Sequence, residues 1–127
     1  MANPRIVKRY PITFTNHAGT YYSAPIFAGD FRDIVLTIVG TGVVAVLGSA
    51  DVPTPPNPPD FTATSTITNS WIPQVIADLR AANTYATSLT ISSSTAMGEV
   101  NTNLLTWICV TASTSTVAAF ITVSDNS

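Results

Sequence analysis

Residues 37–51, "TIVGTGVVAVLGSAD", set Gly40, Gly42 and Ala45 in the order G-x-G-x-x-A behind the apolar run Ile34–Val39. That spelling can hold a dinucleotide, because glycines let the backbone approach a pyrophosphate that rests on the free N–H groups of the next helix. The chemistry needs that helix. Only Val43, Val44, Ala45, Val46 and Leu47 are available to form it before Gly48. Five residues are too few for a βαβ crossover, and adjacent valines favour a strand. The next acidic residue at a usable distance, Asp60, stands behind a proline cluster. The spacing therefore predicts a hairpin: strand 33–39, a tight turn on Gly40-Thr41-Gly42, and strand 43–47 returning.

The other chemistry-bearing residues are sparse. With one histidine, His17, and one cysteine, Cys109, the chain cannot supply a structural zinc site. His17 lies in the turn-like "TNHAG", and no serine stands in a nucleophile-elbow setting. Asp30 and Asp33 in "GDFRD" lack the alternating D-x-D-x-D-G loop of a calcium site. They are expected to bond turn N–H groups while Phe31 tucks inward. Cys109, in the strand-like "LTWICVT" without local positive charge, reads as a small buried apolar residue. Being alone, it excludes an internal disulfide.

Trp71, Trp107, Tyr10, Tyr21, Tyr22 and Tyr85 could stack on a sugar. Yet Trp107 alternates with Leu105 and Cys109, which places it in the core. The pair Tyr21-Tyr22 points one ring each way on a strand, so one of them is expected at the surface or an interface. No catalytic residue, cofactor site or metal site follows from these patterns, and the chain is expected not to be an enzyme.

The elements around these residues are short and β-type. Ile6–Phe14 is interrupted by Pro11, which makes it an extended arm or edge strand. Thr20–Phe27 carries Pro25, and the hairpin 33–47 has apolar residues on both faces, so both sides should be covered. Residues 50–60, "ADVPTPPNPPD", hold five prolines and read as a stiff crossover between sheets. "FTATSTITNSW" alternates like a strand. Residues 71–82 fit either a helix (Ile72, Val75, Ile76, Leu79, capped by Asn69 or Ser70) or a short strand. Thr84–Ile91, Leu104–Thr111 and Val117–Val123 are further strands, with "SSSTAMGEVN" as an exposed loop. About eight strands in one domain, 1–127, predict an all-β, antiparallel β-sandwich, jelly-roll-like, with an extended N-terminal arm (1–14).

Charge is scarce: five basic and seven acidic residues in 127, with about thirty Ser and Thr in their place. Such a surface suits a protein crowded against neighbours and does not suit a nucleic-acid binder. "MANPRIVKRYPITF" lacks the apolar core of a secretory signal. The longest apolar stretch, 34–47, is broken by glycines and too short to span a bilayer, so no membrane partner is expected. Three of the five basic residues, Arg5, Lys8 and Arg9, lie on the arm beside Tyr10. With Tyr21 and Tyr22 they form the candidate interface, either docking on an acidic surface or merely protecting an edge.

Several short words are held in common with small phage virion proteins. These are Asn69 and Trp71, then Val100, Asn101, Leu105, Trp107 and Ile108, then the closing Asp125-Asn126, together with "FAGDFRDIVLTIVGTG" and "LGS". The chain departs from that pattern at "RAANTYATS" (80–88) and "TASTSTV" (111–117), where those proteins carry glycine-rich turns. It resembles the capsid decoration, cement or head-fibre type of β-sandwich. The resemblance implies a non-enzymatic, oligomeric subunit on the outer capsid surface, with tail or neck as other positions. The expected partners are the major capsid protein and the chain itself, as a homotrimer. The alternative is a carbohydrate-binding or structural module of a tail or head fibre.

Overall fold

The computed structural model describes residues 7–17, 19–29, 31–50, 71–102 and 105–124. Eleven strands are formed there: β1 (Val7–Ile12), β2 (Phe14–His17), β3 (Thr20–Ser23), β4 (Ile26–Phe27), β5 (Asp33–Ser49), β6 (Ile72–Pro73), β7 (Ile76–Asp78), β8 (Tyr85–Ala86), β9 (Leu89–Asn101), β10 (Trp107–Ala112) and β11 (Val117–Ser124). Every pairing is antiparallel. The fold is all-β, of the β-sandwich class, as the sequence predicts.

The spine is β5, a single strand of 17 residues. The hairpin expected at Gly40-Thr41-Gly42 does not form. One edge of β5 pairs first with β11, from Ile34↔Val123 to Val117↔Gly40, and then with β10, from Val44↔Ala112 to Ser49↔Trp107. Its other edge pairs with β9 on both sides of the glycines. A returning strand would have folded 43–47 onto 33–39. The partners on β9 hold the two segments in line instead. Gly40 (φ +123°) and Gly42 (φ +153°) let the strand bend sharply, in backbone regions closed to other residues.

At this bend the sheet doubles over. Ile34, Leu36 and Ile38 before it, and Val44 and Val46 after it, are fully buried in one apolar cluster with Ile108, Val110 and Ile121. One layer holds β1, β11, the first half of β5, the second half of β9, β7 and β8. The other holds β2, β3, β4, β10, the second half of β5 and β6. Corners of this kind, where a strand passes between packed sheets through a bend or bulge, are a known way of closing a sandwich. The N-terminal segment makes a second crossing: β1 pairs with β11, and β2, one residue later, with β3.

β9 corrects a further expectation. Residues 92–101 are not an exposed loop but most of a 13-residue strand. Between Gly40↔Ser94 and Gly42↔Ile91, β9 spends one residue more than β5, and Ser93 adopts φ 47° there. This is a β-bulge, and it shifts the face on which side chains point. Leu89 and Ile91 are buried before it; Ala96, Gly98 and Val100 are buried after it. Residues 71–82 resolve as strand and turn, with Ile76 buried and Leu79 half exposed, rather than as a helix.

Candidate functional surface

The five described residues of the predicted interface do not converge. Arg5 lies outside the described residues, as do Asp30, Asn69 and the proline-rich stretch 51–60. Lys8, Arg9 and Tyr10 sit on β1, an edge strand whose described partner is β11. Arg9 and Tyr10 leave opposite faces of it, as alternation requires. The Arg9 guanidinium lies 4.4 Å from the centre of the Phe120 ring on the outer face. Tyr10 turns the other way and meets Phe31 at 6.4 Å between ring centres. Residues 7–10 are thus laid along the chain's own sheet as an edge strand.

Tyr21 and Tyr22 belong to β3, in the other layer, opposite Ala112 and Thr111. As expected of neighbours on a strand, the two rings leave opposite sides of it. Both are half buried, Tyr21 against the main core and Tyr22 against a second cluster.

That second cluster is made of Trp71, Trp107 and Cys109, with Tyr22 and Leu47 packed on it. It covers the outer side of β10, so residues 107–110 are buried on both faces. The alternation that placed Trp107 inside is borne out: the ring is 4% exposed and meets Phe27 edge-on at 5.5 Å. Cys109 is fully buried as well. Its thiol donates toward the Ser23 carbonyl at 3.3 Å, and Ser23 Oγ accepts from the Val110 N–H at 2.9 Å. Burial pushes the Cys109 pKa from 9.0 to about 11, against the opposing pull of the Ser23 hydrogen bonds. This Ser23 partnership spans 86 residues, and no local sequence signal announces it.

Gly40, Gly42 and Ala45 lie inside β5 and are followed by strand, so no helix N-terminus stands behind them to receive a phosphate. Their surroundings are hydroxyls. Thr114 and Thr116 both donate to the Thr41 carbonyl, at 2.9 and 2.7 Å. Ser113 Oγ accepts from the Val43 N–H at 2.9 Å, and Thr41 Oγ1 accepts from the Ser93 N–H at 2.9 Å. The corner is tied by its own polar groups, which satisfies donors and acceptors that the bend frees from the ladder.

The turn after β7 forms an open depression of about 350 Å³ along residues 77–79 and 81–85. Asp78 and Arg80 make an ion pair of 2.8 Å at its side. The hydrogen bonds from Arg80 hold the Asp78 carboxyl below its usual pKa. Among the described residues no three His, Cys, Asp or Glu side chains group to hold a metal. What the described surface offers is therefore a set of faces and edges.

No family model and no curated protein matches the sequence. Two solved structures match the fold. The SPBc2 prophage-derived protein YomS superposes with a TM-score of 0.67 at 8% identity, covering 98% of both chains. The PBSX exported protein XepA gives the same TM-score at 11% identity, covering 98% of this chain and 40% of its own. At such identities the likeness is one of architecture, and the chain shares its fold with a prophage-derived protein and with an exported one.

Proposed function

We propose that this chain is a non-enzymatic structural component of a phage particle, acting as a decoration or cement subunit on the outer capsid. The observation that carries the reading is the end-to-end match to YomS, a prophage-derived protein of which the whole length is covered. The composition agrees with it: a rigid sandwich whose outside is built from Ser and Thr rather than charge tolerates dense packing against copies and shell. The basic edge, Lys8 and Arg9, would meet an acidic shell through long-range attraction that steers docking. The sugar-binding alternative loses its strongest support, because Trp71 and Trp107 are 5% and 4% exposed and leave no indole face for a carbohydrate.

Particles purified on a density gradient and probed with an antibody against this chain decide the matter. The protein should band with filled heads, and its removal should lower the temperature at which those heads release DNA. Recovery only from the free protein fraction overturns the structural reading. Recovery with tails but not heads overturns the cement assignment.

A further inference from the structure

The two outer faces of the sandwich are finished differently. On the layer containing β10, the outward side chains Leu47, Trp107 and Cys109 lie under Trp71 and Tyr22. On the layer containing β11, the same odd-numbered side of β5 presents Val35, Thr37 and Val39, and Val39 is 46% exposed. Beside it stand Phe120 on β11 and Met97 on β9, the latter 43% exposed. The sequence places apolar residues on both faces of this strand, a pattern of a sheet covered on both sides. Among the described residues, none packs over this side as Trp71 and Tyr22 do over the other.

The charges on this face are placed in a way that identifies the cover. The register aligns Arg9, Thr122, Val35 and Glu99 in one row across β1, β11, β5 and β9. Arg9 and Glu99 therefore stand about 14 Å apart, three strand spacings. They carry opposite charge, Arg9 on the edge strand β1 and Glu99 on β9, which β7 flanks on its far side. Among the described residues neither is in an ion pair, since Asp78–Arg80 is the pair formed there. The next row runs Pro11, Phe120, Thr37, Met97. Asp33 lies at the end of the face, opposite Asn101.

We infer that the occupant is a second copy of this chain, packed face to face about a two-fold axis that runs parallel to the strands between β11 and β5. That operation sets Arg9 of one copy against Glu99 of the other, twice. It also sets Thr122 against Val35, Phe120 against Thr37 and Pro11 against Met97. An isologous contact demands such self-complementarity, and sheets stacked about 10 Å apart leave long rim side chains room to meet. The threefold arrangement expected from the sequence would use a heterologous contact and leave this symmetry unused. The four strands that this axis overlays span about 19 by 17 Å, a smaller footprint than that of stable specific pairs, so a weak, micromolar dimer is expected. The inference does not rest on the phage assignment.

Sedimentation equilibrium of the full chain from about 1 to 500 µM tests it, with intrinsic tryptophan fluorescence as the check of folding. The wild type should be a dimer in reversible exchange with monomer. Arg9→Glu and Glu99→Arg should each raise the dimer Kd at least tenfold. The double exchange, Arg9→Glu with Glu99→Arg, should restore it to within about threefold of wild type. A wild type that stays monomeric or forms a trimer overturns the inference. So do single reversals without effect, or a double exchange that fails to rescue.

Discussion

β5 and β9 lie side by side and bend at the same place, by different means. β5 bends on two glycines and keeps its alternation: even-numbered residues face the core before the corner and after it. β9 bends on an extra serine, and its buried positions change from odd to even across Ser93. A glycine bend changes direction only. A bulge changes direction and also exchanges the two faces, because the side-chain period is two. The pair is compatible because the extra residue is confined to one strand and to the corner itself.

The largest expected effect is that of deleting Ser93. Without the extra residue, either Leu89 and Ile91 or Ala96 and Val100 must turn to solvent. The deletion should then remove most of the net stability, which for a domain of this size is about 5–15 kcal/mol in total. Thermal unfolding followed by circular dichroism should lose its cooperative step; an unchanged melting curve would show that the bulge does not set the faces.

On the other strand, Gly40→Ala should cost about 3 kcal/mol, the upper range for a residue forced into a strained backbone region. The added methyl would run into the Thr116 backbone carbonyl, which cannot swing aside as a side chain could. Urea denaturation measures this, and a loss under about 1 kcal/mol would mean that the corner relaxes freely.

Cys109, distant in kind from the corner, supplies an internal control through pH. Its thiol stays protonated in the folded chain to about pH 11, whereas the unfolded chain begins to ionise near 9.0. Between those values the unfolded state binds fewer protons, so stability falls as pH rises, by about 2–3 kcal/mol at most. Cys109→Ala should abolish that slope and leave the pH dependence of stability below pH 8 unaltered. The same slope should persist in Gly40→Ala, since independent sites add.

Ser93→Gly has the smallest expected effect and the opposite sign. Ser93 holds a positive φ that glycine adopts without penalty, so the variant should gain up to about 1 kcal/mol. Loss of stability would instead give weight to its 3.4 Å side-chain contact with Thr41.

The strand class was legible because its signals are local. Pro11 marks β1 as an edge, and the Leu105-Trp107-Cys109 alternation points the indole inward. Gly40-Thr41-Gly42 misleads for an equally local reason: two glycines between apolar runs carry the same signature whether the chain reverses or only bends. What decides is the set of partners on β9, some fifty residues away in sequence. The stretch 92–101 hides its strand because the bulge interrupts the period within a run of serines. The contact inferred for Arg9 was least legible, since only the register sets it in line with Glu99.

One junction has a bearing on how such a chain can change. Ser49 pairs with Trp107, and Ile72 pairs with Gly48. The chain thus leaves β5 at Ala50 and is held again, from Trp71 onward, beside the point where it left. For a segment whose two ends are already pinned together, closure entropy grows only with the logarithm of length, and doubling the segment costs about 0.6 kcal/mol. Lengthening the connection between Ala50 and Trp71 therefore adds little to the entropy of closing this junction.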